Sequence, residues 1–136
     1  MTYDTILYMD VKELIAWLDK EFIIILPENL HTVEALEQAE EMFSKLGNQY
    51  AYLSTLSSYA KVYVRELKRN KDNPKEMIED MIDRKEAISR TMDVVDNLKS
   101  TLSRMLTTKQ EIDKELNMTS FNARYQNNNY QNNTKK

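Results

Sequence analysis

The chain has no cysteine, one glycine, two prolines and one histidine among its 136 residues, and each scarcity excludes something. Without cysteine there are no disulfides and no thiolate metal ligands, which suits a reducing compartment. Tight turns are built largely from glycine and proline, so few can form here, and the composition predicts an all-α chain rather than a β-rich one. One glycine cannot make a phosphate-cradling loop, which removes P-loop chemistry. His31, the only imidazole, stands at a helix start with no cysteine and no second histidine from which to build a nucleophile system. No uninterrupted apolar run is longer than the five residues of "FIIIL" at 22–26. That is far short of the roughly 20 residues needed to span a bilayer, and "MTYDTILYMD" lacks the basic stretch and small-residue site of a signal peptide. A soluble, cytoplasmic protein without a membrane partner is the expectation.

What is present is charge and heptad spacing. The net charge of −3 is not the basic footprint of a dedicated duplex binder, so local charge matters more. Glu34, Glu37, Glu40 and Glu41 cluster near one end of a long helical pattern, and Lys61, Arg65, Lys68, Arg69 and Lys71 near the other. Acid at a helix N-terminus and base at its C-terminus complement the macrodipole, which accounts for the direction of the gradient and still leaves a basic hairpin tip.

Asp10 followed by Glu13 has the form of a capping box, and Val11, Leu14, Ile15, Leu18 and Phe22 recur at helical spacing, so a first helix is expected over 11–21. "TILYM" before it and "FIIIL" after it fit either short extended segments or helix continuations. Pro27 closes that region. Thr32 is a plausible N-cap for a second helix over 33–70. In it Leu36, Phe43, Tyr50, Ser57 and Val64 form one heptad row, and Ala39, Leu46, Leu53, Ala60 and Leu67 a second. The phase runs through Gly47, whose cost inside a helix is only about 1 kcal/mol. Ala35, Met42, Leu56 and Tyr63 widen the stripe beyond that of a two-stranded coil, so more than one partner helix is implied.

In "RELKRNKDNPKEM" the chain reverses: Asn73 suits a cap, Pro74 the first helical position and Glu76 the capping-box site. A third helix is expected over 74–117, with Met81, Ile88, Val95, Leu102 and Leu116 in one row and Leu98, Met105 and Ile112 in the other. Arg84, Thr91 and Lys109 weaken this seam, and Met92 and Leu106 partly offset them. After Met118 the apolar period stops, and in "QNNNYQNN" every residue but Tyr130 is Asn or Gln. Such a stretch cannot bury enough apolar surface to offset its ordering entropy, so residues 119–136 read as a disordered tail behind a single helical domain over 1–118. The fold expected is thus all-α, a short N-terminal helix followed by a long antiparallel hairpin.

The carboxylates Glu76, Glu79, Asp80, Asp83 and Glu86 lie on neighbouring turns, but the Glu-x-x-His pairing of bundle metal sites is absent, so no metal, cofactor or enzyme site is expected. "AKVYVRELKRNK" instead interleaves Tyr63 with Lys61, Arg65, Lys68, Arg69 and Lys71, and the tail adds Arg124, Tyr125, Tyr130, Lys135 and Lys136. Cations that neutralise phosphates beside aromatic faces that stack bases are what single-strand binding requires. In this reading Tyr50 and Tyr63, on the stripe, belong to the core, and Tyr52 and Tyr59, off it, to the surface.

The long hairpin, its basic and Tyr-containing end, the Asn-rich tail, and the stretches "EMFSKL", "VYVRELKRN" and "STLSRMLTTKQEI" together resemble the UvsY-type recombination mediators of phages. That resemblance implies a phage-encoded oligomer in the host cytoplasm that binds single-stranded DNA and helps load a recombinase onto strands covered by single-strand-binding protein. Lys61, Arg65, Lys68 and Arg69 would inherit the strand contacts. Independently of it, a hairpin whose seam one short helix only partly covers predicts a homo-oligomer. A second function class stays open beside the first. It is a protein-interaction module without nucleic acid, either a virion or assembly component or a small inhibitor that turns Glu34, Glu37 and Glu41 toward a basic partner.

Overall fold

The computed structural model describes the backbone of residues 1–22 and 24–134, and side chains within that range as far as residue 118. Four helices follow in order: α1 Tyr3–Leu7, α2 Val11–Glu21, α3 Val33–Arg69 and α4 Lys75–Thr134. Among the described residues there is no strand, and no helix is long and apolar enough to cross a membrane.

Local chemistry sets most of the boundaries. The Asp10 carboxylate accepts from the Lys12 N–H at 3.2 Å and starts α2. The Thr32 hydroxyl accepts from the Ala35 N–H at 3.0 Å and starts α3. Each satisfies one of the backbone donors that a helix N-terminus leaves without an intrahelical partner. The α3 helix then passes through Gly47 without a break. The ambiguous "TILYM" resolves into α1, a helix of little more than one turn capped by Thr2, whose hydroxyl accepts from the Thr5 N–H at 3.1 Å. It ends in a turn, where the Tyr8 N–H bonds back to the Asp4 carbonyl and the Met9 N–H to the Ile6 carbonyl, and Asp10 then caps the next helix. The "FIIIL" stretch resolves differently: Phe22 closes α2, and residues 24–26 lie outside helix and strand.

The turn differs in one detail from the sequence pattern. Asn73, expected to cap α4, directs its side-chain amide N–H to the Leu67 carbonyl at 2.9 Å, so it serves the end of α3. Helix C-termini leave carbonyls without partners, and Asn73 in the turn serves one of them. The bounds of α4 also pass residue 117, where the apolar pattern stops. The 37 residues of α3 match α4 only to about residue 111, so Ile112, Leu116 and Met118 beyond it are exposed. The expected tail, 119–136, lies outside the described side chains.

The core is the seam between α3 and α4, roofed by the N-terminal helices. Leu46, Leu53, Ile88, Val95 and Leu102 are fully buried, and Leu36, Phe43 and Leu67 are half-buried along the same line. The α2 helix lays Leu14 and Leu18 on α4, while α1 lays Ile6 and Leu7 on α3. The three polar seam residues of α4 are all satisfied within one chain. The Arg84 Nε–H donates to the Met9 carbonyl at 2.8 Å and so pins the α1–α2 junction to α4. The Thr91 hydroxyl donates to Ala87 O at 3.1 Å, and Lys109 pairs with Asp113 at 3.0 Å.

Two substitutions probe this packing in opposite directions. Leu53→Ala opens a cavity at a fully buried position and should cost about 2–5 kcal/mol of stability. Gly47→Ala adds a methyl that meets nothing within 4 Å, in a helix that prefers it, and should gain up to about 1 kcal/mol. Urea unfolding followed by circular dichroism reads both.

Candidate nucleic-acid interface

The last two and a half turns of α3 carry Lys61, Arg65, Lys68 and Arg69; lysine and arginine are good helix formers, and Lys68 and Arg69 in the last turn complement the helix dipole. Lys61, Arg65 and Lys68 are spaced four and three residues apart, which stacks them on one helical face. Arg69 flanks that face and Lys71 stands in the turn. All five are exposed. The ion pairs among the described residues are Lys75–Glu79 and Lys109–Asp113, so none of the five has a carboxylate within ion-pair distance.

The frame beneath them is tied down. The Asn70 carboxamide oxygen accepts from the Asp72 N–H at 3.0 Å, and the Asn70 carbonyl accepts from the Asn73 N–H at 3.2 Å. With the Asn73 to Leu67 bond, these fix the turn to the end of α3. The basic surface is one-sided, since Asp72, Glu76, Glu79 and Asp80 follow directly in the turn and the first turns of α4.

The aromatic half of the expected site is arranged otherwise. Residues two apart on a helix project from opposite sides. Tyr59 and Lys61, or Tyr63 and Arg65, therefore alternate in sequence yet separate in space. The α1 helix occupies the tyrosine side. Tyr3 stacks on Tyr59 at 5.0 Å and lies 5.4 Å from Tyr52, while Phe22 stacks on Tyr52 at 6.3 Å. Tyr63 donates its hydroxyl to the Asp4 carboxylate and lies 5.7 Å from the Tyr8 ring. Tyr52, expected at the surface, is half-buried in this row, whereas Tyr59 keeps 44 % exposure and Tyr50, expected in the core, keeps 36 %. The tyrosines thus hold the N-terminus to α3. They do not line the basic face. No sequence period marks this docking, because α1 spans too few residues to show one.

Arg124 does not join the other five. It lies about fifty residues along α4 from the turn, roughly 75 Å at 1.5 Å per residue, and its side chain falls outside those described. His31 is exposed, with its backbone N–H bonded to the Asn29 side chain at 3.1 Å. Among the described residues no three carboxylate or imidazole groups converge as metal ligands would. What the arrangement can do is present a fixed row of cations to a polyanion.

No family model matches the chain, and neither a curated protein nor a solved structure matches it. The class that the fold and the surface define is a helical hairpin with one basic face at its turn.

The tyrosine row has a titration signature. Burial, and secondarily the neighbouring Tyr3, raises the Tyr52 pKa above 10.0. The folded state then holds this proton more tightly than the unfolded chain, so the contribution is intact below pH 10 and is lost as pH rises through the folded value. Tyr52→Phe should flatten the fall of stability above pH 10, as read by denaturant unfolding across that range.

Proposed function

We propose that this protein is a non-enzymatic, self-associating accessory factor, of a kind with phage recombination mediators. It binds single-stranded DNA through the basic end of α3 and assists the loading of a recombinase. The observation that carries the reading is the cluster of Lys61, Arg65, Lys68, Arg69 and Lys71, exposed and without carboxylate partners among the described residues. A cation already paired with a carboxylate has less to gain from a phosphate. Within one chain these five meet only water and counterions, and release of ions condensed on the strand drives such binding.

The tyrosine arrangement refines the mode. With Tyr63 engaged by Asp4 and Tyr59 stacked on Tyr3, contact with the strand runs through its phosphates and not through stacked bases. Such binding tolerates any sequence, as loading a recombinase on arbitrary strands requires. Self-association is supported by incompletely covered apolar surface, including Ile15 and Val94 along a groove of about 510 Å³ between α2 and α4.

A second reading has its own observation. Glu37, Glu40 and Glu41 line a shallow exposed depression near the start of α3, which suits a basic protein partner. The two readings differ in what charge reversal does. Lys68→Glu with Arg69→Glu should weaken binding of a labelled single-stranded oligonucleotide more than tenfold in fluorescence anisotropy, with helicity unchanged by circular dichroism. Wild-type protein that leaves the anisotropy flat at low salt would reject strand binding in favour of the protein partner.

A further inference from the structure

The outer face of α3 has a layout of which the strand-binding reading uses only the basic end. Opposite the buried row of Leu46 and Leu53, one heptad row reads Glu37, Ser44, Ala51, Ser58, Arg65 and its neighbour reads Glu40, Gly47, Ser54, Lys61, Lys68. Both run from acid through small residues to base. The helix dipole matches the direction of this gradient, but it acts only over the first and last turns and so does not reach Glu40 or Lys61. Nor does solvation explain the middle. From residue 46 to residue 60, α3 carries no charged side chain, although Asn48, Ala51, Ser54, Thr55 and Ser58 are exposed. Over the corresponding part of α4 the surface keeps Glu86, Arg90, Asp93 and Asp96. Helix faces that meet only water usually mix charged residues with polar ones, and this stretch of α3 has no charged member.

The small residues are also prepared to be covered. The Thr55 hydroxyl donates to Ala51 O at 3.2 Å and the Ser58 hydroxyl to Ser54 O at 3.1 Å. Their donors are already satisfied within the helix, so removing water from them forfeits little. The space beside Gly47 is open, and a low ridge lets a second backbone come close.

We infer that this face binds a second copy of the chain, with the two α3 helices antiparallel about a two-fold axis between residues 52 and 53. The sequence of charges fits that symmetry and no parallel one. Turning α3 end for end sets Glu37 against Lys68 of the second copy and Glu40 against its Arg65, and the same pairs repeat on the other side of the axis. Ala51 then meets Ser54, and Gly47 meets Ser58. Two-fold interfaces are self-complementary in this way. Exposed ion pairs contribute little affinity one by one, so their role is to fix register while the small residues supply contact. This inference shares the self-association of the reading above and needs none of its strand binding. The pairing engages Arg65 and Lys68, so the cations the dimer leaves for a strand at each pole are Lys61, Arg69 and Lys71.

Sedimentation of the full chain without nucleic acid tests it. Wild-type protein should pass, with rising concentration, from 16.1 kDa to twice that mass. Ala51→Arg, at an exposed position beside the axis, should abolish the dimer and leave helicity intact. Glu40→Arg and Arg65→Glu should each weaken it more than tenfold, and the double variant Glu40→Arg/Arg65→Glu should bring it back to within a few-fold of wild type, because the pairs re-form with their signs exchanged. A monomer at every concentration would overturn the inference together with the self-association of the accessory-factor reading. Self-association unmoved by Ala51→Arg would overturn the inference alone and point to the apolar groove between α2 and α4. A double variant no better than its weaker parent would overturn the antiparallel register.

Discussion

Everything in this molecule depends on one seam, the burial of Leu46, Leu53 and Ala60 of α3 against Ile88, Val95 and Leu102 of α4. A helix of 37 residues is about 55 Å long, and one that exposed an apolar stripe of that length to water would not stay single. The seam resolves this by folding the chain back on itself, which in turn demands one sharp reversal at residues 70–74. That reversal brings the dipole-favoured lysines and arginines of α3 to a single pole. The candidate interface is thus a by-product of the packing geometry as much as of the charges themselves.

The hairpin was legible in the sequence because its signals agree. Heptad rows, the Asp10 and Thr32 caps and the lone proline of the turn all call for the same helices, and the boundaries Val11–Glu21 and Val33–Arg69 follow them closely. Gly47 was the single dissent, and a cost of about 1 kcal/mol cannot outweigh an unbroken seam on either side of it. The basic cluster was equally legible, since cations at 61, 65 and 68 fall on one side of any helix.

What sequence reasoning missed has a common physical cause. The role of Asn73, the docking of α1 and the burial of Tyr52 are tertiary events that leave no periodic trace. The interleaving of Tyr59, Lys61, Tyr63 and Arg65 suggested one mixed surface, whereas a helical turn of 3.6 residues sends alternate positions to opposite sides. A signal existed for the correction: an exposed tyrosine row on α3 and the aromatic pair Tyr3 and Tyr8 near the N-terminus are complementary in composition. Arg84 was likewise read as a flaw in the seam, when its bond to the Met9 carbonyl makes it the clasp of the N-terminal helices.

The α3 helix therefore has an inner face that makes the fold and an outer one whose basic end, we propose, is offered to phosphates. The claim that joins structure to function is that this contact is electrostatic and free of base stacking. The most direct measurement is the affinity for a single-stranded oligonucleotide over a range of salt concentrations. Three to five phosphate contacts predict a plot of log affinity against log salt with a slope of roughly −2 to −4. A slope near zero, or affinity that depends on base identity and not on salt, would contradict the account.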